Sequence, residues 1–349
     1  MKERTYHDNR DIELEKRLRQ QLALLPHFCR EYFVGIEPTT SSLTRNAYAY
    51  DLGVFFTYMH ENNPIYKKKD ITDFPIELLD EIHSTDIEEY LNFLKYYEKD
   101  GSEHSNKERG LSRKLASLRS FYNYFYRCEK IRTNPASLVR MPKKHEKNII
   151  RLDVDEVASL LDEVESGEKL TEKQKKYHEQ TKIRDLAIIT LLLGTGIRVS
   201  ECVGLDINDV DFKNNGIRIL RKGGSESIVY FGDEVESALL DYLEERKKIE
   251  SFPGFGNALF LSLQKKRINV RSVENIVKKY SKLVTTLKNI TPHKLRSTYG
   301  TSLYRETGDI YLVADVLGHK DVNTTKKHYA SIADNQRRMA AKAVRLRED

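Results

Sequence analysis

Residues 194–201 read Gly-Thr-Gly-Ile-Arg-Val-Ser-Glu and follow an apolar segment, residues 183–193, whose pattern predicts a helix. Two glycines bracket this stretch, which predicts a turn that delivers Arg198 at the start of a further helix. An arginine placed in this way can hold a phosphate through two parallel hydrogen bonds. On its own the motif is unspecific, because arginines near helix starts are common.

Two motifs downstream carry further side chains suited to phosphate chemistry. Residues 221–224, Arg-Lys-Gly-Gly, mark the turn of a predicted β-hairpin, where Lys222 could reach into a cleft and donate a proton. Residues 291–296, Thr-Pro-His-Lys-Leu-Arg, predict a helix start, since proline fits the first helical position. His293 and Arg296 lie three residues apart and therefore share a helix face.

The last motif, residues 317–321, reads Leu-Gly-His-Lys-Asp. Its glycine permits a tight turn, and His319 begins the segment that follows. Tyr329 lies ten residues after this histidine; it is one of 20 tyrosines, so nothing intrinsic marks it.

Taken in order, these residues resemble the active-site signature of the tyrosine recombinases, a family that includes phage-type integrases and bacterial Xer recombinases. The resemblance covers about residues 150–335 by motif and the helical first part by architecture. Its six residues are Arg198, Lys222, His293, Arg296, His319 and Tyr329.

Three positions depart from the family pattern. The family usually places its tyrosine nine residues after the histidine of the last motif, whereas here His328 holds that position. Ser225 and Glu226 stand where the hairpin often continues with another basic residue, which puts secondary phosphate contacts there in doubt. Ser297 stands where Xer proteins often have another histidine.

The resemblance implies strand transfer through a covalent 3′-phosphotyrosine. Tyr329 would be the nucleophile, and Arg198 and Arg296 would stabilise charge on the phosphate. His293 and His319 would donate hydrogen bonds to the phosphate or help to deprotonate the tyrosine. Lys222 would protonate the departing 5′-oxygen. Glu201 either orients one of these side chains or forms an ordinary surface ion pair.

This chemistry predicts that the protein uses no cofactor and no metal. The phosphotyrosine conserves the bond energy, and the arginines supply the charge stabilisation. The sequence contains neither an acidic metal-binding cluster nor the glycine-rich loop that binds nucleotide phosphates.

Positive charge is concentrated in one stretch. The chain carries a net charge of +6, yet residues 107–147 hold twelve Lys/Arg against three acids. Arg113, Lys114 and Ser117 are predicted on a helix face turned away from the apolar stripe, where they would contact DNA phosphates. Lys143 and Lys144 are predicted to contact DNA from a linker. The alternative is an ordinary solvated helix face.

The 349 residues, 39% hydrophobic and 32% charged, are enough for two folded domains. The predicted fold is mainly α with a small antiparallel β-sheet. The predicted division is a helical DNA core-binding domain at 1–140, a basic linker at 141–150, and an α+β catalytic domain with a C-terminal tail helix at 151–349.

Finer patterns support this division. Helices are predicted at 43–60, 86–97 and 111–125, with a polar loop at 101–110. Strands at 209–212, 217–221 and 228–231 predict an antiparallel meander. The polar segment 165–181 is interpreted as a solvated insertion. The tail after Tyr329 is predicted to form a helix that docks on a neighbouring protomer or packs on its own domain.

The start of the chain has no apolar signal segment, and no run is long enough to cross a bilayer. The prediction is a cytoplasmic protein without membrane insertion. The three cysteines are far apart, which argues against disulfides and structural zinc, and all three are predicted to be small buried residues.

The predicted partner is double-stranded DNA, bound by a homo-tetramer on two sites, with a possible cell-division or accessory protein. Xer-like chromosome dimer resolution is the favoured role, while integration or excision of a mobile element and DNA inversion stay open. A type IB topoisomerase and a DNA-binding protein without catalysis are alternatives from other classes.

Overall fold

The computed structural model describes residues 5–64, 66–99, 101–143, 150–221, 224–319 and 322. The chain divides into two compact units, Met1–Lys147 and Asn148–Asp349. Lys144, Lys222, Tyr329 and the predicted tail helix lie outside the described residues.

The first unit is built from helices and one small hairpin. The antiparallel hairpin pairs Tyr97 with His104. The helices are α1 (Tyr6–Leu22), α2 (Cys29–Gly35), α3 (Ser42–Asn62), α4 (Leu78–Glu81), α5 (Ser84–Phe93), α6 (Glu108–Arg127) and α7 (Pro135–Leu138), and the strands are β1 (Tyr97–Lys99) and β2 (Ser102–His104).

Aromatic side chains fill the core of this unit. The Phe121 ring of α6 lies 5.1 Å from the Tyr32 ring and 6.0 Å from the Phe56 ring, both in edge-to-face geometry. Such rings bury large apolar areas and add pairwise attraction. The predicted helices at 43–60 and 111–125 are confirmed by α3 and α6.

The hairpin corrects two boundaries. The predicted helix at 86–97 ends at Phe93, and the predicted polar loop at 101–110 contains β2 and the start of α6. Tyr97 explains the difference, because its ring is buried and stacks on His104 across the hairpin at 5.1 Å.

The second unit combines helices with a three-stranded antiparallel sheet of strand order β3-β4-β5. The helices are α8 (Val154–Ser166), α9 (Glu172–Thr195), α10 (Val199–Gly204), α11 (Asp233–Lys247), α12 (Val270–Val284), α13 (Pro292–Thr307) and α14 (Ile310–Val316), and the strands are β3 (Val210–Asp211), β4 (Gly216–Leu220) and β5 (Glu226–Tyr230).

The sheet buries one face and exposes the other. Ile217 pairs with Val229, and both are buried, whereas Arg218 on the adjacent position is exposed. This alternation is typical of a strand with one buried face. The predicted meander and the mainly α fold class with a small antiparallel sheet are confirmed.

The interpretation of 165–181 as a solvated insertion is wrong for its second half. Residues 172–181 form the first turns of α9, begun by the side chain of Thr171, which accepts a hydrogen bond from the Gln174 N–H. His178 and Thr181 are buried. Both side chains have partners inside the unit, because His178 Nδ1 contacts the Tyr280 hydroxyl and the Thr181 hydroxyl donates to Asp185.

The cysteine prediction also needs one correction. Cys29 and Cys202 are buried, but Cys128 is exposed at the end of α6, just beyond the buried stripe of that helix. Among the described residues, no helix is both long and apolar enough to cross a membrane.

Candidate active site

The turn that carries Arg198 forms as its glycines predict. Helix α9 ends at Thr195 and is capped by Gly196, whose φ of 61° lies in the left-handed region and whose N–H donates to the Leu192 carbonyl at 3.1 Å. A Cβ on Gly196 would lie 2.4 Å from a ring carbon of Tyr299, so the packing also requires glycine. Arg198 follows as the residue that precedes α10.

Glu201 orients Arg198 through backbone and side chain. The Arg198 N–H donates to one carboxylate oxygen of Glu201 at 2.7 Å, and Arg198 Nη1 donates to the other at 2.8 Å. The Glu201 side chain is 3% exposed, whereas that of Arg198 is 33% exposed. Of the two roles considered for Glu201, the surface ion pair is therefore excluded.

The end of α14 collects three arginines. Arg221 Nη2 donates to the Val316 carbonyl at 2.8 Å, and Arg221 Nη1 donates to the Leu317 carbonyl at 3.3 Å. The Leu317 carbonyl also accepts from Arg296, and the Gly318 carbonyl accepts from Arg198 Nη2 at 3.3 Å. Carbonyls at a helix end lack intrahelical partners and carry partial negative charge, so guanidinium groups stabilise them.

Arg296 is more deeply buried than a simple phosphate clamp requires. It is 4% exposed, and its Nη1 donates to the Gly196 carbonyl at 2.5 Å. Together with its bond to Leu317, this ties the turn after α9 to the end of α14. The structure thus brings Arg198 and Arg296 to one place, with Arg198 as the more accessible of the two.

The two predicted histidines lie on the elements that carry these arginine contacts, His293 on α13 and His319 just after α14. His319 follows Gly318, whose φ is 59°, and its N–H donates to the Ala314 carbonyl at 2.9 Å. The Gly318 N–H donates to the Asp315 carbonyl at 2.7 Å, which completes the last turn of α14. His319 is half-buried, while His293 is exposed on the first turn of α13, one turn before Arg296.

The residue that sequence reasoning missed is Arg221. Its side chain is 10% exposed, and its Nη1 lies 3.8 Å from the Glu201 carboxylate. Burial lowers the pKa of the Arg221 guanidinium, and Glu201 opposes that shift. Nothing in the sequence distinguished this arginine from its neighbours, because its importance comes from a contact with residues 95 and 96 positions later in the chain.

The predicted DNA-contact face of α6 is wrong for two of its three residues. Lys114 is 2% exposed and donates to Asp51 at 3.0 Å, and Ser117 is fully buried with its hydroxyl on the Lys114 carbonyl. Lys114 lies three residues after Leu111 and four before Leu118, so helix geometry places it within the apolar stripe.

Arg113 keeps 45% of its side chain exposed although it also contacts Asp51, at 2.5 Å. Lys143 is exposed. These two positions remain predicted phosphate contacts.

The arrangement suits an anionic ligand. Arg198 and Arg221 both contact the buried carboxylate of Glu201, while Arg296 donates to the nearby Leu317 carbonyl, which leaves positive charge in excess beside the partly exposed Arg198. Phosphate oxygens are preferred partners of arginine. Within the ranges that the structure covers, there is no group of three or more His, Cys, Asp and Glu side chains that could hold a metal ion.

Comparison with known proteins places these observations in a family. Residues 150–336 match the model of the phage integrase family. The chain is 35% identical to tyrosine recombinase XerC of Caldanaerobacter subterraneus, across 88% of this chain and 83% of that protein. It is 30% identical to tyrosine recombinase XerD of Staphylococcus epidermidis, across 87% of this chain and 92% of that protein.

Solved structures agree on the fold. The site-specific recombinase XerH bound to palindromic difH substrate superposes with a TM-score of 0.63 at 20% identity, across 82% of this chain and 76% of that chain. A lambda integrase dimer bound to a core site gives a TM-score of 0.61 at 16% identity, across 86% and 93%.

Proposed function

The chain belongs to the phage integrase family and is an Xer-like site-specific tyrosine recombinase, and from this premise we propose that it cuts and rejoins DNA strands through Tyr329. The main observation behind the proposed roles is that Arg198 and Arg296 both donate to carbonyls at the end of α14. The family resemblance drawn from six residues is confirmed, while the role of each residue is a proposal.

In the proposed reaction, the phenolic oxygen of Tyr329 attacks the phosphorus of one phosphodiester. The bond to the 5′-oxygen breaks and that oxygen takes a proton from Lys222. The phenolic proton passes to His293 or His319, and the 3′-phosphate stays on the tyrosine. A 5′-hydroxyl from another strand then attacks the phosphotyrosine and releases the phenol. Bonds formed and bonds broken are equal in number at each step, so no energy source is required.

The arginines stabilise the charge that develops on the non-bridging oxygens. Arg198 is the more exposed, and Glu201 holds it in place, so the structure favours Arg198 as a direct phosphate contact. His293 and His319 would add hydrogen bonds to the same phosphate. Their positions beside Arg296 and Gly318 support this role.

The substrate is double-stranded DNA, bound by four protomers on two sites. The solved relatives described above are recombinases in complex with DNA, including a dimer on a core site. The excess positive charge of the first unit near Arg113 and Lys143 supports DNA binding there. The tail after Tyr329 would dock on a neighbouring protomer, and a cell-division or accessory protein would be a further partner.

The proposed biological role is resolution of chromosome dimers in the cytoplasm. Its support is the similarity to XerC and XerD proteins, which extends over most of this chain and most of theirs. A chain that resolves dimers should recombine two directly repeated sites on one supercoiled plasmid into two circles.

Covalent trapping on nicked DNA tests the chemistry. Duplexes carrying candidate sites from the source genome would each be nicked near the cleavage position, so that religation fails. We expect a protein–DNA band that survives denaturing electrophoresis with the parent chain and disappears in Tyr329→Phe.

The matched control is Tyr311→Phe, which alters an exposed tyrosine on α14 and should leave the band intact. A band of equal strength in Tyr329→Phe would reject Tyr329 as nucleophile. No band on any substrate, despite tight DNA binding, would reject autonomous cleavage by this chain.

A further inference from the structure

Arg221 links three parts of the second unit that are distant in sequence. It directly follows β4, its N–H donates to the Ser225 carbonyl at 2.8 Å, and its guanidinium donates to the carbonyls of Val316 and Leu317. The same group lies beside the buried carboxylate of Glu201. A single side chain thus joins the β4–β5 hairpin, the start of α10 and the end of α14.

We propose that Arg221 is a positioning residue for recombination, which holds the last turn of α14 so that His319 and the Arg198 guanidinium keep the geometry required for phosphate binding. The inference rests on the proposed function. It assigns Arg221 a role through other residues and no contact with DNA.

The first argument is the number and direction of the hydrogen bonds. A planar guanidinium can donate to two adjacent carbonyls at once from two rigidly held nitrogens, whereas lysine offers a single nitrogen and no fixed fork. The carbonyls of Val316 and Leu317 are the ones that precede Gly318 and His319 in the chain. Fixing them fixes the direction in which the chain leaves the helix.

The second argument is the close fit at Gly318. A Cβ at this position would lie 2.9 Å from Arg221 Cζ and 2.9 Å from Nη1, so the guanidinium occupies the space that a side chain would need. The residue also adopts a φ of 59°, which favours glycine. The Arg221 guanidinium therefore fits against the turn only because residue 318 is a glycine.

The third argument concerns charge. Glu201 interacts with Arg198 at 2.8 Å and with Arg221 at 3.8 Å, and Arg198 in turn donates to the Gly318 carbonyl. Removing the Arg221 guanidinium leaves Glu201 with one fewer cation and the Val316 carbonyl without its donor. Both changes loosen the support of Arg198.

The test compares Arg221→Met with the parent and with Arg218→Met. Methionine keeps an unbranched apolar stem and removes the guanidinium. Arg218 lies three residues earlier on β4, is exposed on the other face and pairs with Asp209 at 2.9 Å, so it controls for loss of an arginine from this strand. DNA affinity, the single-turnover rate of covalent trapping and hydrogen exchange of residues 310–319 would be measured for each chain.

We expect Arg221→Met to trap DNA about 10²-fold more slowly, because small displacements of positioned groups have costs of this order. Its DNA affinity should stay within about twofold of the parent, since no direct contact is lost. The amides of Gly318 and His319, which donate to Asp315 and Ala314, should exchange faster. Arg218→Met should match the parent in all three measurements.

Several outcomes would overturn the inference. A parental trapping rate in Arg221→Met, or unchanged exchange at 316–319, removes the positioning role; a slow rate with unchanged exchange would instead mean that Arg221 contacts DNA itself. If Arg221→Met does not fold, Arg221→Lys serves, because a lysine ammonium lacks the rigid planar fork that spans the two carbonyls. The same slowing with faster exchange is then expected. Absence of trapping by the parent would defeat the proposed function and leave the exchange result to decide the structural claim.

Discussion

The carboxylate of Asp51 is a fully buried charged group in the first unit. Its side chain is 0% exposed and accepts from Lys114 at 3.0 Å and from Arg113 at 2.5 Å. Burial raises the pKa of Asp51, and the two cations oppose this shift. Lys114 also lies 5.0 Å from the centre of the Tyr50 ring. This cluster joins α3 to α6.

We expect Asp51→Asn to lower the free energy of unfolding of the first unit by about 3–5 kcal/mol, because it leaves Lys114 buried without a carboxylate. Urea denaturation followed by circular dichroism measures the change. The matched control is Glu31→Gln, which removes an exposed ion pair with Lys130 and should have a much smaller effect, because solvent screens that pair. Equal effects of the two substitutions would show that the Asp51 cluster is not a special source of stability.

At the scale of single residues, the sequence predicted where a residue stands in its helix or turn better than it predicted whether the side chain is buried. Arg198 stands at the start of α10, as the bracketing glycines of its motif indicated. The burial of Arg296 was not predicted, because its partners, Gly196 and Leu317, are 100 and 21 residues away along the chain. The burial of Lys114 was accessible from helix geometry, but its partner Asp51 was not.

Helices α9 and α12 are joined by a buried polar network centred on Asp185, which is 1% exposed. Its carboxylate accepts from Tyr280 at 3.1 Å and from Lys279 at 3.2 Å. His178 Nδ1 lies 3.0 Å from the same tyrosine hydroxyl. Because the tyrosine proton points to Asp185, His178 donates from Nδ1 in its neutral form. Burial lowers the pKa of His178.

This network predicts acid sensitivity of the second unit. As the pH falls below about 6.5, the unfolded chain protonates His178 before the folded chain does, so stability falls until the pH passes the lower folded pKa. Denaturation at about pH 7.5 and about pH 5.5 should show a larger acid loss in the parent than in His178→Gln. His27→Gln, at an exposed histidine, should keep the parental acid loss. Equal losses in all three chains would contradict the assignment to His178.

The same network explains why α9 is longer than the helix predicted from the apolar spacing. The apolar spacing predicted a helix from residue 183, whereas α9 begins at Glu172. Polar residues such as His178 and Thr181 are typical of solvated segments unless their partners are known. Those partners lie on α12 or one helical turn ahead, and single-sequence periodicity cannot show the former.

In the proposed mechanism, arginines of the protein itself supply the positive charge that stabilises the reacting phosphate. If Arg198 and Arg296 stabilise the phosphate and Lys222 protonates the leaving group, strand cleavage requires no divalent cation. We expect the parent chain to trap nicked DNA at the same rate in excess EDTA as in its absence. The matched reaction contains magnesium in place of EDTA at equal ionic strength, because salt alone alters DNA binding. A strict magnesium requirement would contradict this mechanism.

At the scale of the whole molecule, the sequence was most informative about the protein family and the fold class. Four short motifs in a fixed order indicated the family, and the fold class followed from helix periodicity and from β-rich stretches between turn signals. The number of DNA sites, the partner protein and the biological role have no counterpart in local pattern, because they depend on surfaces formed by several chains and on the DNA sequence.

The uneven burial of the three cysteines has a practical consequence for following assembly on DNA. Burial raises the pKa of Cys202 to about 12 and also raises that of Cys29, so neither thiol forms an appreciable reactive thiolate at neutral pH. Cys128 is exposed at the end of α6. A maleimide fluorophore will therefore attach to the native chain at one known position in the first unit. Energy transfer from that dye to an acceptor on the duplex could then time the arrival of successive protomers without any engineered cysteine.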